Sequence, residues 1–227
     1  MIERYKIKFW LYKLGIRETI PVQIINSVPI DDNKEDLINI REDKTLFFAD
    51  KIKNREKIFL RKTVYEKLKE AQKYLPKNYY FKIYSAFRSL EEQQKLWDAK
   101  YSLMHSRYLN LSEEEIIKKT RAVCADPRYG FGGHQTGGAV DISLCDNRGK
   151  DYQMGTQYSE NNDKTQTKSK KVSIIERENR YILTNALTKV GFVNYPAEWW
   201  HFSYGDRLWA AYGNKNKCFY GLVSLNG

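Results

Sequence analysis

Apolar residues recur every three or four positions in several stretches of the chain, which is the spacing that buries one face of a helix. Residues 64–75 carry such a stripe and stop before Pro76, and residues 175–190 carry another that ends at Gly191. Glycine is typical of the position just after a helix. A capping box, Ser/Thr-x-x-Glu, opens each predicted helix. The boxes are Thr63 with Glu66, Ser89 with Glu92, Ser112 with Glu115, and Ser173 with Glu176.

Shorter β-rich runs lie between and after these helices. They are Tyr79–Phe87, Ala139–Leu144 and Trp199–Tyr204. Helices and strands mixed in this order predict an α+β domain. Residues 1–60 contain two further β-like segments, Thr19–Ile25 and Leu46–Ala49, and we interpret them as an N-terminal arm packed on a main body of residues 61–227. Residues 157–171 are almost entirely polar and predict a mobile insertion loop.

The composition is that of a folded domain with a basic surface. The 227 residues include 5 Trp, 17 Tyr and 10 Phe, too many aromatic residues for a disordered chain. No apolar run approaches the ~20 residues of a membrane span. The 39 Lys and Arg exceed the 28 Asp and Glu, for a net charge of +11. The basic residues are scattered among acidic ones and no nucleic-acid-binding signature accompanies them, so we expect a solvated surface and no nucleic-acid partner.

The three cysteines, Cys124, Cys145 and Cys218, form no C-x-x-C pair and cannot all pair within one chain. Ordinary thiols in a reducing compartment are the simpler interpretation. The first residues show neither a long apolar core nor a small-residue cleavage site. We therefore expect a cytoplasmic location, or a periplasmic one if a signal segment has been removed.

Two of the three histidines have unusual neighbours. His134 lies in a glycine-rich turn, and Asp141 follows it inside a predicted strand between Val140 and Ile142. A carboxylate among apolar residues of a strand is costly unless it is paired or binds a metal. A His and an Asp brought together by a glycine turn make two of the three protein ligands of a catalytic zinc site. His105, on an amphipathic helix, is expected to be a surface residue.

His201 ends the segment Glu198-Trp199-Trp200-His201 and is the candidate third ligand. Residues i and i+3 of a regular strand point to opposite faces, so the backbone must turn between Glu198 and His201 if both are to reach one metal. Three protein ligands leave a fourth position open for water, whose proton Glu198 can then accept. Arg88, at the junction of a strand and a capped helix, could face a developing oxyanion.

Each of these clues has an ordinary structural explanation when it is taken alone, such as a loop histidine or a hydrogen-bonded core carboxylate. Their combination resembles the LAS-type zinc peptidases, whose pattern is S-x-H-x-x-G-x-A-x-D followed by E-x-x-H or H-x-H. That group includes D-Ala-D-Ala peptidases and the hedgehog signalling domain. The chain most resembles the D-Ala-D-Ala dipeptidases of vancomycin resistance. The matching features are Arg88 before the helix that carries Gln93, the turn at Met154 and Gly155, and the Glu-Trp-Trp-His segment.

The resemblance implies a single α+β domain in which an antiparallel sheet with flanking helices lines a zinc cleft. It implies one zinc ion per chain, held by His134, Asp141 and His201. Glu198 would be the general base and then the general acid, and Arg88 would stabilise the tetrahedral intermediate. The implied partner is a small peptide with a D-Ala-D-Ala terminus, hydrolysed to D-alanine.

Three positions depart from the family pattern and concern substrate binding. Gly132 replaces the serine before the first zinc histidine, and Ser85 replaces an aspartate before Arg88. The aspartate that holds the substrate ammonium aligns near Ser159, with Glu160 adjacent. A D,D-carboxypeptidase or endopeptidase that trims peptidoglycan stem peptides is therefore the alternative function. A non-enzymatic, zinc-stabilised binding module is a more remote one.

Overall fold

The computed structural model of the protein describes residues 2–223. Within that range the helices are α1 (Ile2–Lys13), α2 (Val22–Asn26), α3 (Asp50–Lys53), α4 (Lys62–Gln72), α5 (Leu90–Arg107), α6 (Glu113–Arg121), α7 (Ile174–Lys189) and α8 (Arg207–Tyr212). Short 3-10 helices span Pro127–Tyr129 and Gly133–Thr136. The strands are β1 (Leu37–Asn39), β2 (Phe47–Phe48), β3 (Phe59–Arg61), β4 (Tyr80–Ser85), β5 (Ala139–Cys145), β6 (Val193–Asn194) and β7 (His201–Ser203).

The main sheet has the strand order β2-β4-β5-β7-β6, which places β5 at its centre. All its pairings are antiparallel except that of the short edge strand β2, which runs parallel to β4. Strands β1 and β3 form a separate antiparallel pair. The α+β class expected from the order of elements is confirmed, and the sheet is antiparallel apart from this one edge.

The hydrophobic core lies on one face of the sheet. Alternate residues of a strand point to opposite faces, and Val140, Ile142 and Leu144 of β5 enter the core. They meet the buried stripes of α4 and α7, which include Leu68 and Leu183. Asp141, between Val140 and Ile142, therefore points to the opposite face of the sheet. One face of β5 thus supports the fold, and the other face carries the candidate chemistry.

Three of the four predicted capping boxes are present, at Ser89, Ser112 and Ser173. The prediction at Thr63 is wrong: α4 begins one residue earlier, at Lys62, and shows no side-chain cap. The Thr63 hydroxyl instead donates to the carboxylate of Glu35. Gly191, with φ +95°, directly follows the C-cap of α7, as predicted.

The N-terminal segment departs from its predicted secondary structure but contributes to the sheets. Residues 22–26 form helix α2 where the β-branched composition predicted a strand, and α2 packs against α8. Strand β2, by contrast, lies within the predicted β-like segment Leu46–Ala49 and joins the main sheet. The division into an arm of residues 1–60 and a body stays a prediction.

The polar segment 157–171 is held by hydrogen bonds to the rest of the protein. The guanidinium of Arg180, which is 2% exposed, donates to the carbonyl oxygens of Gln166 and Lys164. The amide of Trp199 donates to the carbonyl of Thr165 at 3.2 Å. The mobility of this segment stays a prediction.

All three cysteines are buried free thiols. Among the helices within residues 2–223, none combines the length and the apolar character needed to span a bilayer.

Candidate active site

The main sheet places three polar side chains in one row across neighbouring strands. Ser85 of β4 lies opposite Asp141 of β5, and Asp141 lies opposite His201 of β7. A β-bulge at Tyr84 sets the first of these pairings. Ile83 pairs with Ile142 and the next pair is Ser85 with Asp141, so Tyr84 is the extra residue of the bulge. Bulges of this kind occur next to active sites, where they change the direction of a side chain. The row leads from the end of β4 to His201.

A tight glycine turn holds His134 above this row. His134 lies in the 3-10 helix Gly133–Thr136, which ends at Gly137 in the left-handed conformation, φ +71°. A Cβ atom on Gly133 would lie 2.1 Å from Oδ2 of Asp206 and 2.7 Å from Cβ of Ala139. Glycine is therefore required there by close packing, and the packing fixes where the next residue, His134, projects.

The predicted ligands His134, Asp141 and His201 form one cluster. One ligand atom from each residue lies within 4.8 Å of those of the other two. Oδ1 of Asp141 is 3.3 Å from Nε2 of His134 and 3.0 Å from Nδ1 of His201. Ligand atoms about 2.1 Å from a tetrahedral zinc ion are roughly 3.4 Å apart, so these two separations match such a set.

The proton positions in the cluster also favour a cation between the side chains. Nδ1 of His134 lies 2.8 Å from the carbonyl oxygen of Ala86 and must donate to it, because a carbonyl can only accept. The Nε2 atom of neutral His134 then presents a lone pair to the Asp141 carboxylate. Burial lowers the pKa of His134, although the Asp141 charge acts to raise it, so the neutral form is favoured. A proton or a metal ion between Nε2 of His134 and the Asp141 carboxylate would satisfy both atoms, and the set of two histidines and one carboxylate fits zinc.

Second contacts orient the ligands. The Tyr158 hydroxyl donates to Oδ2 of Asp141 at 2.9 Å, which leaves Oδ1 for the histidine side of the cluster. Nε2 of His201 lies 3.3 Å from the Ser203 hydroxyl, so Nδ1 is the nitrogen that faces Asp141. Burial acts to raise the pKa of Asp141, but positive charge on His134 and His201, and hydrogen bonds from their rings when they are protonated, lower it well below its ordinary value. Asp141 is thus the anionic centre of the site.

Glu198 lies beside the cluster, and its carboxylate is not part of the group of three ligand atoms found among residues 2–223. The turn that the sequence requires is present, because the His201 amide donates to the Glu198 carbonyl at 3.2 Å. Asn194 fixes this turn by donating from its side chain to the carbonyls of Glu198 and His201. Burial and the charge of Asp141 raise the pKa of Glu198, against the opposing charges of His201 and Arg88. A raised pKa suits a proton-transfer group.

Arg88 lies three residues after the end of β4 at Ser85 and directly precedes the N-cap Ser89 of α5, at the junction that the sequence predicts. Its guanidinium donates to Oε1 of Gln93 at 2.8 Å and to the Ser85 hydroxyl at 3.0 Å. The Arg88 amide donates to the His134 carbonyl at 3.2 Å and ties the glycine turn to the same junction. Both guanidinium partners are neutral, so the positive charge of Arg88 stays available to a substrate.

The predicted ammonium-binding residues directly follow Tyr158, and their role stays a prediction. Ser159 is exposed and adopts a positive φ of 65°. The Glu160 carboxylate is also exposed, and it accepts hydrogen bonds from the amide of Gln157 at 2.8 Å and from the side chain of Asn162 at 3.2 Å. Glu160 therefore closes a turn within its own loop in this conformation.

Two residues near the cluster were not found from the sequence. Tyr158 is the only aromatic residue in the polar segment 157–171, and that isolation is the signal that could have singled it out. Its ring packs against Tyr84 and Trp200, with centroids 4.8 and 5.5 Å away. Lys51, with Nζ 5.2 Å from the centroid of the Tyr158 ring, carries no recognisable motif. His105 is exposed, as expected.

Most of this chain matches a known protein family. The profile of the family described as D-ala-D-ala dipeptidase matches residues 44–220, which include every site residue discussed above. A D-alanyl-D-alanine dipeptidase of Synechocystis sp. is 33% identical over 88 residues, 34% of this chain and 36% of that protein. The D-alanyl-D-alanine dipeptidase of Escherichia coli K12 is 28% identical over 125 residues, 53% of this chain and 52% of that protein. The match thus spans between a third and about half of the length of these curated relatives.

Solved structures give weaker likenesses. A mutant of the vancomycin-resistance D,D-pentapeptidase VanY in complex with Zn(II) superposes with a TM-score of 0.47 at 16% identity, over 87% of this chain and 89% of that chain. The LD-carboxypeptidase LdcB superposes with a TM-score of 0.46 at 21% identity, over 81% of this chain and 76% of that chain.

Proposed function

Because the chain belongs to the D-ala-D-ala dipeptidase family, we propose that it is a zinc-dependent dipeptidase that hydrolyses D-alanyl-D-alanine to two molecules of D-alanine. The observation that carries this proposal is the convergence of His134, Asp141 and His201, with Glu198 and Arg88 beside them. A structural zinc site would need neither of the last two residues.

His134, Asp141 and His201 would hold the zinc ion through Nε2, Oδ1 and Nδ1. When bound there, zinc supplies Lewis-acid chemistry that makes water a nucleophile near neutral pH. The hydrogen bonds from His134 to Ala86 and from Tyr158 to Asp141 keep the ligand atoms directed inward. Such outer contacts orient the ligands and tune their basicity.

Glu198 would accept the proton of the attacking water and return it to the leaving amine. Its raised pKa brings it closer to neutrality, where a carboxylate can both take up and release a proton. Its place three residues before His201, on a turn fixed by Asn194, keeps the carboxylate at the edge of the metal site.

Arg88 would donate to the oxygen of the scissile carbonyl as negative charge develops on it. Gln93 and Ser85 hold the guanidinium in place before substrate arrives, so little reorganisation is needed during the reaction. Donors arranged in advance in this way stabilise the transition state more than the ground state.

A second candidate, a carboxypeptidase or endopeptidase acting on peptidoglycan stem peptides, is favoured by one observation. A dipeptidase needs a partner for the free ammonium of its substrate, and the Glu160 carboxylate is engaged with its own loop. If Glu160 does not turn inward when substrate binds, substrates with a blocked amine would fit equally well.

The test is to incubate zinc-loaded protein with D-Ala-D-Ala, N-acetyl-D-Ala-D-Ala and a stem pentapeptide, followed by product analysis. The dipeptidase proposal expects the free dipeptide to be cleaved with the highest kcat/KM. Equal kcat/KM for the dipeptide and its N-acetyl form would instead support the stem-peptide function. Absence of cleavage of all three substrates would reject both functions.

Glu198→Gln tests the chemistry itself. We expect this variant to bind zinc normally and to lose about 10²- to 10⁴-fold in kcat, because an amide cannot accept the proton. Glu178→Gln, a matched change on the exposed side of α7, should leave both quantities unchanged. Loss of zinc from Glu198→Gln would make Glu198 a ligand and contradict its assignment as base.

A further inference from the structure

Helix α1 carries an apolar stripe that the rest of the described chain leaves uncovered. The stripe consists of Ile7, Trp10 and Leu14, whose side chains are 60%, 66% and 67% exposed. Their spacing of three and four residues places them on one face of a helix. The Leu14 amide donates to the Trp10 carbonyl at 2.9 Å, so the helical turn continues just past the end of α1.

The exposure of apolar residues is concentrated in this part of the protein. Ile16 and Val22, which follow the apolar stripe in sequence, are also exposed large hydrophobic residues, so that residues 7–22 contain five of them. Single exposed apolar side chains are normal on a protein surface, whereas a group of them marks an interaction site. The N-terminal region therefore has the composition of a contact surface.

The apolar stripe is not the face by which α1 packs on the protein. Phe9 and Tyr12 are half-buried, and the Tyr12 ring meets the Tyr212 ring of α8 edge-on, with centroids 5.6 Å apart. The Lys13 ammonium donates to the side chain of Asn214 at 2.5 Å. These contacts fix the orientation of α1, and they leave its other apolar face turned to the solvent.

Positive charge borders the apolar stripe. Residues 1–18 contain five Lys and Arg against two Glu. The side chains of Lys6, Lys13 and Arg17 are exposed, and none of the three pairs with a carboxylate within residues 6–223. Lys6 lies four residues before Trp10 and Lys13 three residues after it, so both lysines are neighbours of Trp10 on the helix surface.

This combination fits the surface of an anionic lipid bilayer. A Trp and aliphatic side chains enter the boundary between headgroups and acyl chains, while Lys and Arg face the lipid phosphates. A second copy of the chain is the less favourable occupant, because it would bring the same basic border and a net charge of +11 against itself. The 12 residues of α1 span about 18 Å, short of the ~30 Å hydrocarbon core, so the helix would lie in the interface.

We propose that the apolar stripe of α1 docks the protein on membranes rich in anionic phospholipid. The residues assigned to the candidate active site all lie outside residues 1–22, so membrane docking and hydrolysis are separate properties of the protein. Docking therefore stands or fails independently of the proposed function.

The first test is co-sedimentation of the unmutated protein with vesicles of equimolar phosphatidylglycerol and phosphatidylcholine, and with vesicles of phosphatidylcholine alone. We expect binding to the anionic vesicles only. Trp10→Gln should lower the partition coefficient about 10-fold, the order expected for withdrawing one large apolar side chain from the bilayer. Tyr181→Gln, which changes a 69% exposed aromatic residue on α7, is the matched control and should bind as the unmutated protein does.

The second test concerns the basic border. Lys6→Gln should lower partitioning about fivefold, the contribution of one cation held at an anionic surface. Lys170→Gln removes the same charge from an exposed position in the polar segment and should lower it much less. Raising the salt to about 1 M should weaken binding, because the screening length then falls to roughly 3 Å. Urea unfolding of each variant verifies that the fold is unchanged.

Absence of binding to the anionic vesicles would overturn the proposal. Equal binding by Trp10→Gln and Tyr181→Gln would also overturn it, since the attraction would then come from the net charge alone. Equal binding of the unmutated protein to both kinds of vesicle would contradict the choice of anionic lipid. Light scattering tests the other occupant: a dimer in solution that only Trp10→Gln converts to a monomer would assign the apolar stripe to a second copy and reject the membrane.

Discussion

Replacing Tyr158 with phenylalanine tests the metal site through a residue that is not a ligand. The change removes the hydroxyl that donates to Oδ2 of Asp141 at 2.9 Å, and it keeps the ring that packs between Tyr84 and Trp200. Asp141 is only 4% exposed, so solvent cannot easily replace the lost donor. The carboxylate would be less firmly held in the orientation that directs Oδ1 to the histidines.

The magnitude follows from two independent considerations. A hydrogen bond to a charged group contributes about 1.5–3 kcal/mol, which corresponds to roughly 10- to 150-fold in an equilibrium constant. Loss of an outer contact to a metal ligand typically lowers metal affinity about 10- to 100-fold. We therefore expect Tyr158→Phe to weaken zinc binding by one to two orders of magnitude.

The assay is zinc competition with a chromophoric chelator at fixed pH, together with a urea unfolding curve that verifies the fold. Tyr84→Phe is the matched control, because it removes a hydroxyl from the partner ring whose hydrogen bond goes to Asp151, at 2.7 Å. Because we expect a loss of about 10- to 100-fold, a zinc affinity of Tyr158→Phe within about threefold of that of the unmutated protein would refute the reasoning. An equal loss in Tyr84→Phe would show that the effect does not depend on the hydrogen bond from Tyr158 to Asp141.

Two further predictions concern the oxyanion donor and acid stability. Arg88→Ala should lower kcat about 10²- to 10³-fold and raise KM by less, because its donors act mainly on the transition state; steady-state kinetics showing a raised KM at constant kcat would contradict this. Asp43 is 6% exposed at its side chain, and although burial acts to raise its pKa, hydrogen bonds from Thr45, Lys69 and Tyr65 lower it to about 2. A pKa lowered on folding adds stability that is present above the unfolded value near 4 and is lost as pH falls through about 2. Asp43→Asn should therefore cost about 2 kcal/mol of unfolding free energy at pH 7 in urea titrations, and much less near pH 2; an equal cost at both pH values would count against this assignment.

Much of the site was predictable because short segments of the sequence determine its local geometry. The glycines around His134 specify a turn, and the polar residue at position 141 in an apolar strand marks a side chain that needs a partner. The three residues from Glu198 to His201 could share a site only through a turn, and the structure has that turn. The capped helix after Arg88 was equally visible as Ser89 followed by Glu92.

The parts that were missed depend on contacts between distant segments. Thr63 fits a capping box by sequence, but Glu35, 28 residues earlier, takes its hydroxyl. Residues 22–26 have a strand-like composition and form a helix, because β-propensity yields to the surface against which a segment packs. The positions of Tyr158 and Lys51 near the cluster become apparent only when the fold brings the segments around residues 51, 141 and 158 into contact. No local sequence pattern indicates these contacts between distant segments.

Asp141 and His201 pair across β5 and β7, so binding of one metal ion by both residues depends on the register of these two strands. A slip of one residue between two strands turns every side chain of one of them to the other face. Such a slip would separate the two ligands and would also turn Val140 and Ile142 away from the core. Since a ligand that binds only the native state stabilises it by about 4 kcal/mol at a thousand times its Kd, zinc would favour the correctly paired sheet over its misaligned alternatives. The same ion that serves the chemistry would thus also select the fold that performs it.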